Sequence, residues 1–355
     1  MTGLSRLAGL GGLVSALLLT AAAAHAQEAV ARFGSDRDTA PLILRTTTDV
    51  AVLSPAITAF LRAHPDLGLI YEQWGSNALY AVSQADCDAG RAGADLVISS
   101  GVQQMIRLVN DRCAAAWTSD ATASLPPDLR WRDEIWGISR EPAVIVYNRR
   151  LVPPDEVPRS RFALLDLLRP EGSAYAGAVA TYDIEESGLG YLFAFMDSQE
   201  ASTFGALMET FARTGAVATC CSAEIIAGVG AGTYRIAYNV LGSYAALAAR
   251  ENPDLGLVLP SDYTLVLSRA AMLPGPESPR PQAGALLDFL LSGPGQSAMA
   301  QMNLVMGTSP DQIEPGDADN SVPIRLIPLS PTLLVAMDTA YETRFIARWR
   351  ATFGR

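Results

Sequence analysis

The sequence of 355 residues predicts an α/β protein of two lobes, each a mostly parallel sheet flanked by helices. Three observations carry this. From Leu42 onward, apolar runs of strand length alternate with segments of helical period, the pattern of parallel sheets covered on both faces. Hydrophobic residues make up 49% of the chain and charged residues 18%, enough apolar material for sizeable cores and too little charge for disorder. The length, less a targeting segment, accommodates two domains of roughly 150 residues each.

Residues 1–26 read as a secretory signal peptide. Arg6 is the one charge before an apolar run from Leu7 to Ala24, and Ala24-His25-Ala26 puts small residues at both positions a signal peptidase reads. A membrane anchor is the competing reading, but the run sits at the lower limit for a span and no basic stop-transfer flank follows it.

The elements then follow in order. "LILR" is a strand and Thr46-Thr47-Thr48-Asp49 a polar loop. Ser54 before Pro55 has the form of an N-cap and first helical residue, and Ile57, Phe60 and Leu61 continue at helical spacing. "LGLIYEQW" is the second strand, "GSNALY" opens a helix, "ADLVISSG" is a third strand and "VQQMIRLVND" returns to helical period. The middle region repeats the theme. "AVIVYN", "GAVATYD", "YRIAYN", "LGLVLP" and "TLVLSRAAML" read as strands; "RFALLDLL", "ESGLGYLFAFM", "FGALMETFART", "SAEIIAGVG" and "GSYAALAAR" read as helices. "AGALLDFLLSG" and "PGQSAMAQM" are two helices broken at Gly293-Pro294. Residues 311–320 form an acidic loop, and "YETRFIARWRATF" closes the chain as an amphipathic helix.

Composition excludes several function classes. The net charge is −11 and no lysine occurs, so there is no electrostatic footprint for nucleic acid and no P-loop or Schiff-base lysine. After cleavage the remaining histidine is His64, near a helix end, which leaves no ordinary zinc site and no Ser-His-Asp triad. Cys221 could act as a nucleophile at a helix start but lacks a base, and "GVGAG" falls late in a helix rather than after a strand. We therefore expect a binding protein, not an enzyme, and no cofactor. Four cysteines outlast cleavage. Cys87 with Cys113 is the first pairing to try, because both fall in one predicted lobe. Cys220 and Cys221 are adjacent and could be free thiols, a vicinal pair or partners of the other two; the connectivity stays open.

Ligands of open α/β sheets sit outside the carboxyl ends of strands. The loops there are uniform in chemistry: Thr48 and Asp49, Ser76 and Asn77, Ser99 and Ser100, then Tyr182 and Asp183 with Ser187 and Gly188, and Asn239 with Gly242, Ser243 and Tyr244. Hydroxyl and amide residues at helix starts leave backbone N–H groups free for an anion or polar ligand, and tyrosines add flat walls. Ordinary helix capping is the competing reading at each loop. Taken together they are candidate ligand-binding residues, with Ser99, Ser100, Ser187 and Ser243 expected to line one site. No metal set is assigned.

"ADLVISSGVQQMIRLVND", "WRDEIWGISREPAVIVYNRRL", "VATYDIEESGLGYLF", "YNVLGSYA" and "SDYTLVLSRAAMLP" resemble the periplasmic components of iron(III)-type ABC importers, and within them the branch often encoded near two-component sensor kinases. The resemblance spans Leu42 to the C-terminus. It implies a periplasmic-binding-protein-like fold whose lobes are joined by two crossover strands and close by hinge bending. The crossings would fall near residues 140–148 and 260–268. Residues 27–145 and 263–355 would form one lobe and 146–262 the other. It further implies a monomeric periplasmic protein that binds a small molecule or ion (an oxyanion, a small carboxylate or an iron(III)-type complex). Its partner would be an inner-membrane ABC permease, or alternatively the periplasmic domain of a sensor kinase that reads the bound ligand. One departure stands out. Iron-binding members place adjacent tyrosines after the strand that reads "YRIAYN" here, where this chain has Leu241 and Gly242. Tyr182, Tyr238 and Tyr244 are the phenols left to hold a metal.

Cleavage after Ala26 predicts a mature N-terminus at Gln27. Intact-mass analysis of the exported protein checks it; a membrane-bound form retaining Met1 would refute it.

Overall fold

The computed structural model describes residues 27–200, 203–275, 277–304 and 322–354. The expected signal peptide and the acidic loop over 311–320 lie outside the described residues. In chain order the first elements are β1 (Gln27–Gly34), β2 (Leu42–Thr46), α1 (Val50–Ala63), β3 (Gly68–Trp74), α2 (Ser76–Asp88), β4 (Leu96–Ser99), α3 (Val102–Asn110), β5 (Ala114–Ala115), α4 (Asp120–Ala123), β6 (Arg130–Trp131) and β7 (Ile135–Gly137). The middle holds β8 (Glu141–Asn148), α5 (Arg161–Leu168), β9 (Val179–Tyr182), α6 (Gly188–Glu200), α7 (Phe204–Thr214), β10 (Val217–Thr219), α8 (Ser222–Gly230), β11 (Ile236–Leu241), α9 (Gly242–Glu251), β12 (Leu255–Val258) and β13 (Thr264–Leu267). The last are β14 (Ala270–Pro274), α10 (Pro281–Leu291), α11 (Gly293–Ala300), β15 (Ile324–Leu326) and α12 (Thr339–Phe353).

The strands form two sheets, ordered β1-β3-β2-β4-β14-β7-β6 and β10-β9-β11-β8-β13-β15. The parallel core of each is short: β3-β2-β4 in the first and β10-β9-β11 in the second. The remaining neighbours are mostly antiparallel, so the sheets are more mixed than the sequence pattern predicts. The reason is the connections. A chain that leaves one sheet through β7 and β8 and returns through β13 and β14 must run back beside itself, and β14 therefore pairs antiparallel with β4 and β7. β1 also adds antiparallel at an edge. Its sequence, QEAVARFG, alternates in exposure along an open sheet edge and has no apolar run to announce it.

The changes of sheet occur between Gly137 and Glu141, and at Ser268 and Arg269. Both fall at the ends of the windows expected from the sequence, because β8 lies in the second sheet along its whole length and β13 reaches Leu267 before the chain crosses.

The expected course of the C-terminus needs correction. α10 and α11 do pack on the first lobe, where Leu286, Leu287, Leu290 and Met299 share a core with Ile57 and Phe60 of α1. β15 and α12 do not, although Leu329 and Leu333 between them lie against α3. β15 pairs with β13 in the second sheet, and Phe345 and Trp349 of α12 are buried among Tyr191, Phe204 and Phe211 of the second lobe. Phe345 stacks on Phe204 at 5.9 Å and meets Tyr191 edge-on at 5.7 Å. The aromatic face of α12 finds its matching surface there. β13 also belongs to the second sheet, so the stretch 263–355 is divided between the lobes.

α1 begins earlier than expected. It starts at Val50 with Asp49 as N-cap, so Pro55 sits inside the helix. The break in hydrogen bonding is repaired locally: Ser54 Oγ donates to the Ala51 carbonyl at 3.3 Å, the acceptor that the missing Pro55 N–H would have used.

Truncating Trp349 removes the centre of the α12 contact. Trp349→Ala is expected to lower stability by about 3–5 kcal/mol, the range for deleting a large buried aromatic. Urea unfolding of the ligand-free protein measures it; a change within error would mean that α12 does not close the second-lobe core.

Candidate solute site

The two crossings run antiparallel against each other and hold a buried ion pair. Leu267 is paired with Glu141, and Ile138 N donates to the Arg269 carbonyl at 2.9 Å. Arg269 is 1% exposed and Glu141 0%. Arg269 Nε donates to Glu141 Oε1 at 2.8 Å and one terminal nitrogen to Oε2 at 3.2 Å, a two-point pairing. The other terminal nitrogen donates to Thr48 Oγ1 at 3.0 Å. Ser139 Oγ donates to Glu141 at 2.8 Å, and the Ser243 hydroxyl also donates to that carboxylate. Burial is the strongest single influence and disfavours the guanidinium charge, but Glu141, Tyr244 and Tyr71 together outweigh it, and the pKa of Arg269 lies above arginine's ordinary value.

Arg269 forms the floor of a cavity of about 80 Å³. Helix starts from both lobes reach it: Gly75 and Ser76 at α2, and Cys221, Ser222 and Ala223 at α8. Neither helix has a side-chain cap, so their first N–H groups are open to a ligand. Ser76 Oγ accepts from Gly188 N at 2.9 Å and Ser187 Oγ from Gly190 N at 3.0 Å. Each hydroxyl thus has its oxygen engaged and its proton free to point into the cavity. Ser100 bonds Thr47 at 3.2 Å, and the Tyr182 and Ser222 hydroxyls bond each other. Glu28, Asp49 and Glu186 bring carboxylates, and Trp74 and Tyr244 bring aromatic walls. Tyr244 OH donates to Asp49 Oδ1 at 3.1 Å. Beyond it, an apolar groove of about 570 Å³ runs between α1 and the α8–α9 pair and shares Asp49, Tyr244 and Ala223 with the cavity.

The lobes are closed over this space. Asn77 Nδ2 donates to the Glu185 carbonyl at 2.8 Å, Gln103 Nε2 to the Gly188 carbonyl at 2.7 Å, and the Ser76–Gly188 bond joins them.

Of the residues singled out by sequence, Asp49, Ser76, Ser100, Tyr182, Ser187 and Tyr244 line the cavity. The others have structural partners. Thr48 supports Arg269 from behind. Asn77 and Gly188 clasp the lobes together. Ser99 accepts from Gly101 N at 3.0 Å, and Asp183 accepts from Glu185 N at 3.0 Å, both local turn bonds. Gly242 opens α9 where an added Cβ would fall 2.9 Å from Pro142 Cγ. Ser243 serves Glu141. Ser99 and Ser243 therefore do not join Ser100 and Ser187 at one surface. Asn239 faces the interior of the second lobe. Its φ of 63° falls inside β11, where the pairing with β8 shifts register between Ala237 and Val240, and Nδ2 donates to Asp197 at 3.0 Å. Asp197 also accepts from Arg161, Tyr238 and Tyr263, a second buried ion pair.

Tyr238 is thereby removed from the cavity, and burial raises the pKa values of Tyr182 and Tyr244. These two phenols stay protonated as hydrogen-bonding groups, and a three-tyrosine metal cluster is not assembled. Both disulfides form, Cys87–Cys113 and Cys220–Cys221. Cys220, Cys221 and Glu224 bring ligand atoms within 4.8 Å, but the two sulfurs bond each other.

Sequence reasoning missed Arg269, Glu28, Trp74 and the cysteine pair as cavity residues. Arg269 left a signal: an arginine inside an otherwise apolar strand pair needs a buried partner.

The profile described as bacterial extracellular solute-binding protein matches residues 93–324. No curated protein matches the chain significantly. Among solved structures, the substrate binding protein of an ABC transporter from Agrobacterium tumefaciens is 30% identical over 92% of this chain and 98% of its own, with a TM-score of 0.83. Iron-bound HitA from Pseudomonas aeruginosa is 17% identical over 87% and 98%, with a TM-score of 0.68. AfuA from Actinobacillus pleuropneumoniae, with fructose-6-phosphate bound, is 13% identical over 89% and 99%, with a TM-score of 0.69. The last two are similar in fold.

Ser243→Ala deletes a donor to the buried Glu141. It is expected to lower ligand-free stability by about 1–3 kcal/mol, read by urea unfolding. Glu141→Ala, which strands Arg269, is expected to cost about 3–5 kcal/mol. Equal and small losses in both would mean that the pair is hydrated rather than buried.

Proposed function

The chain belongs to the bacterial extracellular solute-binding protein family, and from this premise we propose that it captures a small, acceptor-rich solute between its lobes in the periplasm and delivers it to the permease of an ABC importer. The family and fold are those of binding proteins rather than enzymes. One observation carries the ligand class: open helix starts from both lobes, α2 and α8, converge with Arg269 on one cavity. Amide and hydroxyl protons there favour an oxyanion or carboxylate. Because Glu141 already neutralises Arg269, and Glu28, Asp49 and Glu186 stand around the cavity, a solute with a cationic group beside its anionic end is a better match than a bare multivalent anion.

The lobes would hinge where Glu141 and Arg269 meet, breaking the Asn77–Glu185 and Gln103–Gly188 bonds on opening. The solute would replace the water that fills the open cleft and complete these interlobe contacts.

Thermal-shift and calorimetric titration with acetate, succinate, phosphate, sulfate, α-amino acids and ferric citrate test the reading. A matching solute at about 100 times its Kd stabilises by about 2.7 kcal/mol. Ser187→Ala should weaken its binding by roughly threefold to a hundredfold, the worth of one hydroxyl donor to a neutral or charged acceptor. Stabilisation by none of these solutes would sink the proposed ligand class.

A further inference from the structure

We propose that Cys220–Cys221 is a redox modification site built into the wall of the solute cavity, and that its reduction weakens solute binding. The second half rests on the reading of the cavity as the solute site. The first does not.

The position of the bond is the argument. It joins consecutive residues between β10 and α8, and both line the cavity. Cys221 is the N-cap of α8, with extended backbone at φ −123° and ψ 152°. The covalent ring therefore fixes the backbone that aims the first N–H groups of α8 at the solute. The next residue, Ser222, bonds the hydroxyl of Tyr182 at the end of the neighbouring strand β9. Both cysteines are half-buried and line the cavity, whereas in the other disulfide Cys87 is half-buried and Cys113 is 3% exposed. A small dithiol can reach both sulfurs of the first pair, but in the second only that of Cys87.

The chemistry is thiol–disulfide exchange. One thiolate of a dithiol reductant attacks a cavity sulfur and forms a mixed disulfide. Its second thiolate then displaces the protein sulfur. The protein gains two thiol protons, and the reductant leaves as a cyclic disulfide. The freed sulfurs must then move apart to non-bonded contact, about 3.5–4 Å for heavy atoms. In a cavity of about 80 Å³ at least one thiol has to swing into solute space or out to solvent. The N-cap residue also regains backbone freedom, so α8 no longer presents its amides in a fixed direction.

The test compares the oxidised full chain with the same protein treated with dithiothreitol. Alkylation and peptide mass spectrometry should label Cys220 and Cys221 first. Deuterium exchange at the first turn of α8 should quicken on reduction, with no solute present. Calorimetry with succinate and phosphate should show Kd raised roughly tenfold or more, as loss of a donor to a charged acceptor implies. The double variant Cys220→Ser/Cys221→Ser should bind like the reduced protein and ignore dithiothreitol, which separates this pair from Cys87–Cys113. Alkylation of both cysteines without prior reduction, or equal α8 exchange in the two forms, overturns the site. Equal solute affinity in the two forms overturns its effect on binding. If none of acetate, succinate, phosphate, sulfate, α-amino acids and ferric citrate binds either form, the solute reading fails and the exchange data still decide the redox site.

Discussion

The pairing of Glu141 with Arg269 is the constraint on which the rest depends. Two full charges buried at the junction of the lobes are tolerable only when every strong donor and acceptor is answered. The answers come from separate parts of the chain: Thr48 from the first loop, Ser139 beside Glu141, and Ser243 from the start of α9. These bonds tie the ends of β2, β8, β11 and β13 to one point. The starts of α1 and α9, which follow β2 and β11, are thereby held together beside the cavity, where Tyr244 meets Asp49.

The pair also decides what kind of site this is. A free arginine at the floor would dominate recognition by charge. Here its charge is matched, and what remains for the solute is a set of oriented amides and hydroxyls in a closed space. Such groups are worth more away from water than in it, and they reorganise little on binding. The fold does not choose the solute: similar folds hold iron in HitA and fructose-6-phosphate in AfuA. On the proposed reading, the choice lies in the side chains around Arg269.

Much of the fold was legible because strands and helices alternate with clear periods. "RFALLDLL" and "FGALMETFART" coincide with α5 and α7. β1 was not legible, since an exposed edge strand has no apolar run. Nor was the destination of α12, because an aromatic face states that it will be buried but not against what. In the site, the right loops were found and their residues only partly sorted. Ser187 and Ser243 both stand at helix starts with identical local signals. One meets the cavity and the other meets Glu141, and the difference is set by a residue far away in sequence. Hydroxyl direction is a tertiary property, and helix-start chemistry alone cannot supply it.

The C-terminal segment adds a limit to how the lobes can move. From β15 in the second sheet the chain continues onto the first lobe. Leu329 N donates to the Asp128 carbonyl at 2.9 Å, and Leu329 and Leu333 share a core with Val102, Met105 and Ile106 of α3. These two leucines are 1% and 2% exposed. A hinge motion that pulled the segment off α3 would expose both, at about 1.5–3 kcal/mol for each fully buried leucine. The clasp at Asn77, Gln103 and Gly188 consists of single hydrogen bonds, each with a net worth of about 0.5–1.5 kcal/mol. Opening is therefore easier by parting the clasp while the leucines stay seated. If the lobes hinge as proposed, the crossings and the C-terminal segment together would select a rotation that uncovers the helix starts and leaves the α3 contact intact.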